Sequence, residues 1–206
     1  GKLSFGETII DEPSVHLTLD GHERPKSATR KASEDRRAQA MMMPVKHVDL
    51  VVRQGSFKVT DQQTKTAELS QINSRLSVRP PGQPTNFTLA AAVSGQGKEG
   101  KIKAVGSATP GATPKGWTLK GTTGELSIEV KDLDLESLES FLAIAGVEVQ
   151  AKGVVSANVK SQIKDGQFDE LVGTVTGKNM DIAAPQLQGD RLQTSDLDVG
   201  LKLSRQ

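Results

Sequence analysis

Three histidines, His16, His22 and His47, are the only imidazoles in the chain, and they are scattered over apparent strand and linker. No two stand at metal-ligand spacing, and no nucleophile signature lies near any of them, so they read as surface residues. The densest acidic group is Asp132, Asp134, Glu136 and Glu139. It lacks the order of glycine and oxygen ligands of a calcium loop, and its position before an apolar run fits helix capping better. The stretch SGQGKEG, 94–100, has the glycine content of a phosphate loop. It contains neither G-x-G-x-x-G nor G-x-x-x-x-G-K-[ST], and no long helix follows to supply a dipole, so it reads as a turn. Asn86-Phe87-Thr88 matches a glycosylation sequon and nothing more. Cysteine is absent, which removes disulfides, thiolate metal sites and cysteine nucleophiles. These residues point to a non-enzymatic chain with no metal and no cofactor.

The elements that would position any site are mostly strands. The clearest change of period is in Gly124–Gly166. Leu126, Ile128 and Val130 alternate with polar residues, as on a half-buried strand. From Leu135 the apolar positions become Leu135, Leu138, Phe141, Leu142 and Ala145, one stripe of a short amphipathic helix at about 135–145. Asp134 caps it, Glu136 and Glu139 suit its positive end, and Gly146 closes it. Leu138, Phe141 and Leu142 are its docking residues. Alternation then resumes with Val147 and Val149 and with Val155, Ala157 and Val159.

Alternating segments fill most of the remaining sequence. Two short strands flank Asp11-Glu12-Pro13, and Val48, Leu50 and Val52 lead to Phe57 and Val59 across a kink or turn at Gly55. Leu69, Ile72, Leu76 and Val78 follow with a change of phase, then Phe87 to Val93, Ile102 to Gly106, and a final strand with Leu197, Val199, Leu201 and Leu203. About a dozen strands at such even spacing predict an antiparallel meander, because antiparallel neighbours need only short turns. Residues 22–40 lose periodicity and carry no apolar side chain larger than Ala, so 22–44 reads as a mobile polar linker. The expected organisation is a strand pair at 1–21, the linker at 22–44, and a curved β domain with a helix insert at 45–206.

Composition limits the partners. The 26 basic and 25 acidic residues nearly balance, which argues against nucleic acid. One Trp, five Phe and no Tyr leave an aliphatic interior rather than an aromatic cage. No run of about 18 apolar residues exists to cross a membrane as a helix. A start in the middle of a β segment suggests a fragment of a longer protein.

Read together, three segments resemble the AsmA-like superfamily of bacterial envelope proteins, including its TamB-type, bridge-like lipid-transfer members. GETIIDEPSVHLTLDGHERPKSA is similar to the family's strand pair ending in Asp-Gly before a polar linker. HVDLVVRQGSFKVTDQQTKTAELSQINSRLSV resembles its strand, Gly, strand and spaced leucine–isoleucine pattern. GELSIEVKDLDLESLESFLAIAGVEVQAKGVVSANVKSQ resembles its strand–short helix–strand unit, with Gly153 opening the last strand. The resemblance implies a mainly β fold, a long curved antiparallel meander sheet forming an apolar groove, in a periplasmic protein of the cell envelope. It implies anchoring in the inner membrane through an N-terminal helix missing from this sequence, a role in phospholipid transport or outer-membrane assembly, and other envelope proteins as partners. Acyl chains would lie on Leu50, Val52, Ile128, Val130, Ala157, Val159, Val199 and Leu201, chosen because each is on the aliphatic side of its alternating strand. The alternative from another class is a structural or adhesive β-sandwich, with the same aliphatic faces sealed against each other.

Overall fold

The computed structural model describes residues 6–18, 47–60, 66–80, 82–94, 99–113, 116–144, 149–183 and 190–205. Its elements are β1 (Glu7–Asp11), β2 (Ser14–Thr18), β3 (Val48–Thr60), β4 (Thr66–Val78), β5 (Thr85–Ser94), β6 (Gly100–Thr113), β7 (Gly116–Asp134), α1 (Glu136–Ile144), β8 (Gln150–Lys164), β9 (Gln167–Ala183) and β10 (Arg191–Ser204). The expected linker at 22–44, His22, most of SGQGKEG, and Ala145, Gly146 and Val147 after the helix lie outside the described residues.

All the strands belong to one ten-stranded sheet. From β3 to β10 each strand pairs antiparallel with the next in sequence, the meander that alternation and short turns predict. The first edge departs from that order. β1 and β2 do not pair with each other; they run end to end along β3, both parallel to it. The break between them is at Glu12 and Pro13. Glu12 adopts a φ of 51° and donates its N–H to Arg53 O, while Pro13, which has no N–H to give, accepts from Ser56 N.

The strands are longer and less interrupted than expected. β3 continues through Gly55 as a bulge, and Trp117 and Leu119 belong to the same strand as Leu126 to Val130. The tightest turn is Asp165-Gly166 between β8 and β9, with φ of 54° and 72°, the double left-handed conformation that suits a two-residue hairpin.

Bulges cross the sheet in a band. Register shifts fall at Val52/Gly55, Ser70/Asn73, Val130/Leu133 and Lys152/Val154, and Gln54, Gln71, Asp132, Gly153 and Asn179 have positive φ there. Each bulge bends its strand and increases the local twist. Beyond the band the sheet meets α1, which packs against β3, β4, β7 and β8. Val59, Ala67, Val93, Leu133, Ala151 and Met180 are all buried at that end, so the densest apolar core lies there.

The helix is seated by its own acidic residues. Asp134 Oδ1 accepts from Glu136 N at 3.1 Å, which satisfies one of the free N–H groups of the first turn. Glu139 Oε1 accepts from Ala151 N at 2.9 Å, tying the helix to the start of β8, and Glu136 faces Lys152 Nζ at 3.6 Å.

Candidate functional site

On the other side of the bulge band, the pairing registers align aliphatic side chains into lateral rows. Directly opposed residues of neighbouring strands project from the same face, and residues two apart on a strand share it. One row crosses β3 to β10 through Val52, Ser74, Leu89, Ala104, Ile128, Val159, Gly173 and Leu201. A second runs through Leu50, Leu76, Phe87, Gly106, Leu126, Ser161, Leu171 and Leu203. A third joins Ala91, Ile102, Val130, Ala157, Val175 and Val199.

The three rows contain every lining position chosen from phase: Leu50, Val52, Ile128, Val130, Ala157, Val159, Val199 and Leu201. All are half-buried and share one face of the sheet. Among the described residues there is no second sheet, and α1 is the only helix. Among the described residues the rows are therefore shielded chiefly by their own neighbours, and Leu203 on the last strand is 65 % exposed. At about 4.8 Å between strands, the rows from β3 to β10 span roughly 34 Å.

The chosen set left out Leu89, Leu126, Leu171 and Leu203, which complete the rows; Leu126 and Leu203 are in phase with chosen neighbours on their own strands, and the pairing register brings all four into line. It also missed two interruptions. Ser161 places a buried hydroxyl between Leu126 and Leu171, and Phe87 lays its ring beside Gly106, where an added Cβ would come within 2.5 Å of Phe87 Cε1.

The three docking residues of the helix lie close to the sheet. The Phe141 ring stacks on Phe57 of β3, with centroids 6.0 Å apart and planes at 25°, and Leu138 and Leu142 are half-buried beside it. The helix closes one end of the aliphatic face, and no other described element lies over the rows beyond the bulges.

The opposite face is more polar but mixed, with Val51, Val105 and Val172 among its charged and hydroxyl side chains. It carries two shallow depressions, one of about 610 Å³ between Asn86, Val105, Glu125, Lys160, Glu170 and Val172, and one of about 310 Å³ beside Lys101, Lys103, Glu129 and Lys131. A twisted sheet is saddle-shaped, so hollows on the polar side coexist with an open aliphatic side.

The same side also holds a charged cluster where the start of β3 meets the end of β4. Asp49 Oδ2 is 2.7 Å from His47 Nε2, and its Oδ1 faces Arg79 Nη2 at 3.0 Å as an ion pair. The Ser77 hydroxyl, then Arg79 and His47, hold the Asp49 carboxyl down at about 2, against the opposing effect of partial burial. Ser77 and His47 both contact the carboxylate, so the imidazole does not stand between acid and hydroxyl as a proton relay requires. Asp181 is likewise lowered, first by its two hydrogen bonds from Arg191 at 3.0 and 2.9 Å. His16 is bound to Thr60 Oγ1 at 3.1 Å on the edge strand, and Asp132 donates its backbone N–H to Ser156 Oγ at 2.9 Å within a bulge.

Compared with protein-family models, with curated proteins and with solved structures, the chain matches none of them.

Proposed function

We propose that this chain is a non-enzymatic lipid-binding or lipid-conducting segment whose aliphatic face takes phospholipid acyl chains. The observation that supports this reading is the set of three aliphatic rows on one face of a single sheet, with no second layer over them among the described residues. Burying a methylene against such a face is worth about 0.8 kcal/mol, so a tail lying across several strands gains affinity by area, with little dependence on head group. An apolar surface this continuous usually marks a partner or ligand. With the resemblance set out above, the reading extends to an AsmA-like envelope protein, periplasmic and anchored in the inner membrane, that works in phospholipid transport or outer-membrane assembly. A sealed sandwich would need a second sheet, and the described strands form one.

Ala157→Asp tests it. Ala157 is half-buried in the third row, so on an open face the new carboxylate keeps hydration and the fold survives, whereas in a dry interior it costs several kcal/mol. The expected result is phospholipid extracted from the purified parent chain, less from the variant, and closely similar melting temperatures. Absence of lipid from the parent, together with collapse of the variant, would overturn the proposal in favour of a closed structural module.

A further inference from the structure

The hollow of about 310 Å³ on the face opposite the aliphatic rows gathers lysines around a small floor. The floor is Ala90 and Ala92 of β5, the latter only 3 % exposed. Ala92 pairs with Lys101 and Ala90 with Lys103, so both lysines stand beside the floor on β6. On β7 the register then sets Lys131 directly opposite Lys101, and Glu129 directly opposite Lys103. Bulges flank the hollow on both sides, with Gln71 of β4 and Asp132 of β7 at φ of 51° and 49°. Such bulges re-aim the side chains around them and are common beside sites.

Like charges directly across an antiparallel ladder repel, so the Lys101–Lys131 pair is unfavourable by itself. Glu129 offsets Lys103, and none of the three lysines forms an ion pair among the described residues. Asn73 on the β4 wall has its amide committed to the bulge: its Nδ2 donates to Gln71 O at 2.7 Å and its Oδ1 accepts from Gln54 N at 3.2 Å. We propose that Lys101 and Lys131, with Lys103 at the rim, bind a phosphate group. A multiply charged oxyanion between the two ammonium groups turns their repulsion into charge-assisted hydrogen bonds, with each Lys acting as a point charge. The sheet separates this hollow from the aliphatic rows, so a tail lying on the rows does not carry its own head group to it. The inference is therefore independent of what the aliphatic face binds. The phosphate belongs either to a small soluble anion or to a head group in a membrane surface, and the experiment separates the two.

Inorganic phosphate titrated into the full chain at constant ionic strength should shift the amide resonances of 101–103 and 129–131 along a saturating curve. Lys101→Gln and Lys131→Gln should each weaken that binding about tenfold. Lys160→Gln, on the same face but outside this hollow, should leave it unchanged. Lys131→Gln also removes the repulsion, so without phosphate it should melt no lower than the parent, and phosphate should raise the parent's melting temperature more than the variant's. Co-sedimentation with vesicles assigns the source. Binding to phosphatidylglycerol but not phosphatidylcholine vesicles, lost in Lys101→Gln and Lys131→Gln, identifies a head group; saturable phosphate binding without vesicle binding identifies a soluble anion. Absence of both kinds of binding, or equal affinity in the parent and the two hollow variants, would overturn the proposal.

Discussion

Phe57 and Phe141 are 84 positions apart in sequence, and their rings stack 6.0 Å apart at 25°, joining the first long strand to the only helix among the described residues. The helix covers the end of the sheet beyond the bulges and no more. Two regimes result: a capped end with a dry core, and an open expanse of half-buried aliphatic rows.

Removing the ring should loosen the capped end. Phe141→Ala deletes a half-buried aromatic and its stack, for which about 2 kcal/mol is expected, below the cost of a fully buried Phe. The urea midpoint measures it, and an unchanged midpoint would show that the helix contributes nothing to the fold.

The same charge placed on each side of the bulge band should have opposite outcomes. Val93 is fully buried at the capped end, so Val93→Asp should cost about 3 kcal/mol or more and largely unfold the chain. Val159→Asp, in the middle of the open rows, should cost less than about 1.5 kcal/mol. Circular dichroism melts of the two variants decide the matter, and equal losses would contradict the division.

Gly153 sits in its bulge with φ of 111°, and a Cβ there would come within 2.7 Å of the carbonyl oxygens of Lys178 and Asn179. Gly153→Ala should therefore destabilise by about 2 kcal/mol. Gly200→Ala on β10 is the control, since nothing lies within 4 Å of the added methyl, and it should stay within about 0.5 kcal/mol of the parent.

Asp49 gives an acid limb to stability. Its carboxyl is held at about 2 in the folded chain, against an ordinary value of about 3.9 when unfolded, so the stabilisation is complete above the unfolded value and fades as pH falls from about 4 toward 2. Asp49→Asn removes this component. Its melting temperature should fall below the parent's at pH 6, with the gap narrowing between pH 4 and pH 2; a constant gap would mean that Asp49 does not titrate across that window.

Strand identity was legible because each segment alternates with a period of two, and phase put the eight lining residues on one face before any pairing was known. The helix was legible from the change of period, with its N-terminus at Glu136 beside the expected Asp134 cap. Asp165-Gly166 carries a hairpin signal that alternation alone did not bring out. The bulges were not readable: Gln54, Gln71, Asp132 and Asn179 take left-handed conformations that their residue types do not advertise, because neighbouring strands impose them. The parallel attachment of β1 and β2 was also hidden. Its register depends on contacts across 19–46, and local alternation carries no information about a partner that far away.

The strand order has a consequence for how the sheet is assembled. From β3 onward each strand pairs with the one made just before it, so the structure can grow by one hairpin at a time, each closure spanning a short loop except that between β7 and β8, which carries α1. β1 and β2 are the exception. Although synthesised earlier, they join this sheet only through β3, so the kinked edge is set in place by a strand that follows it.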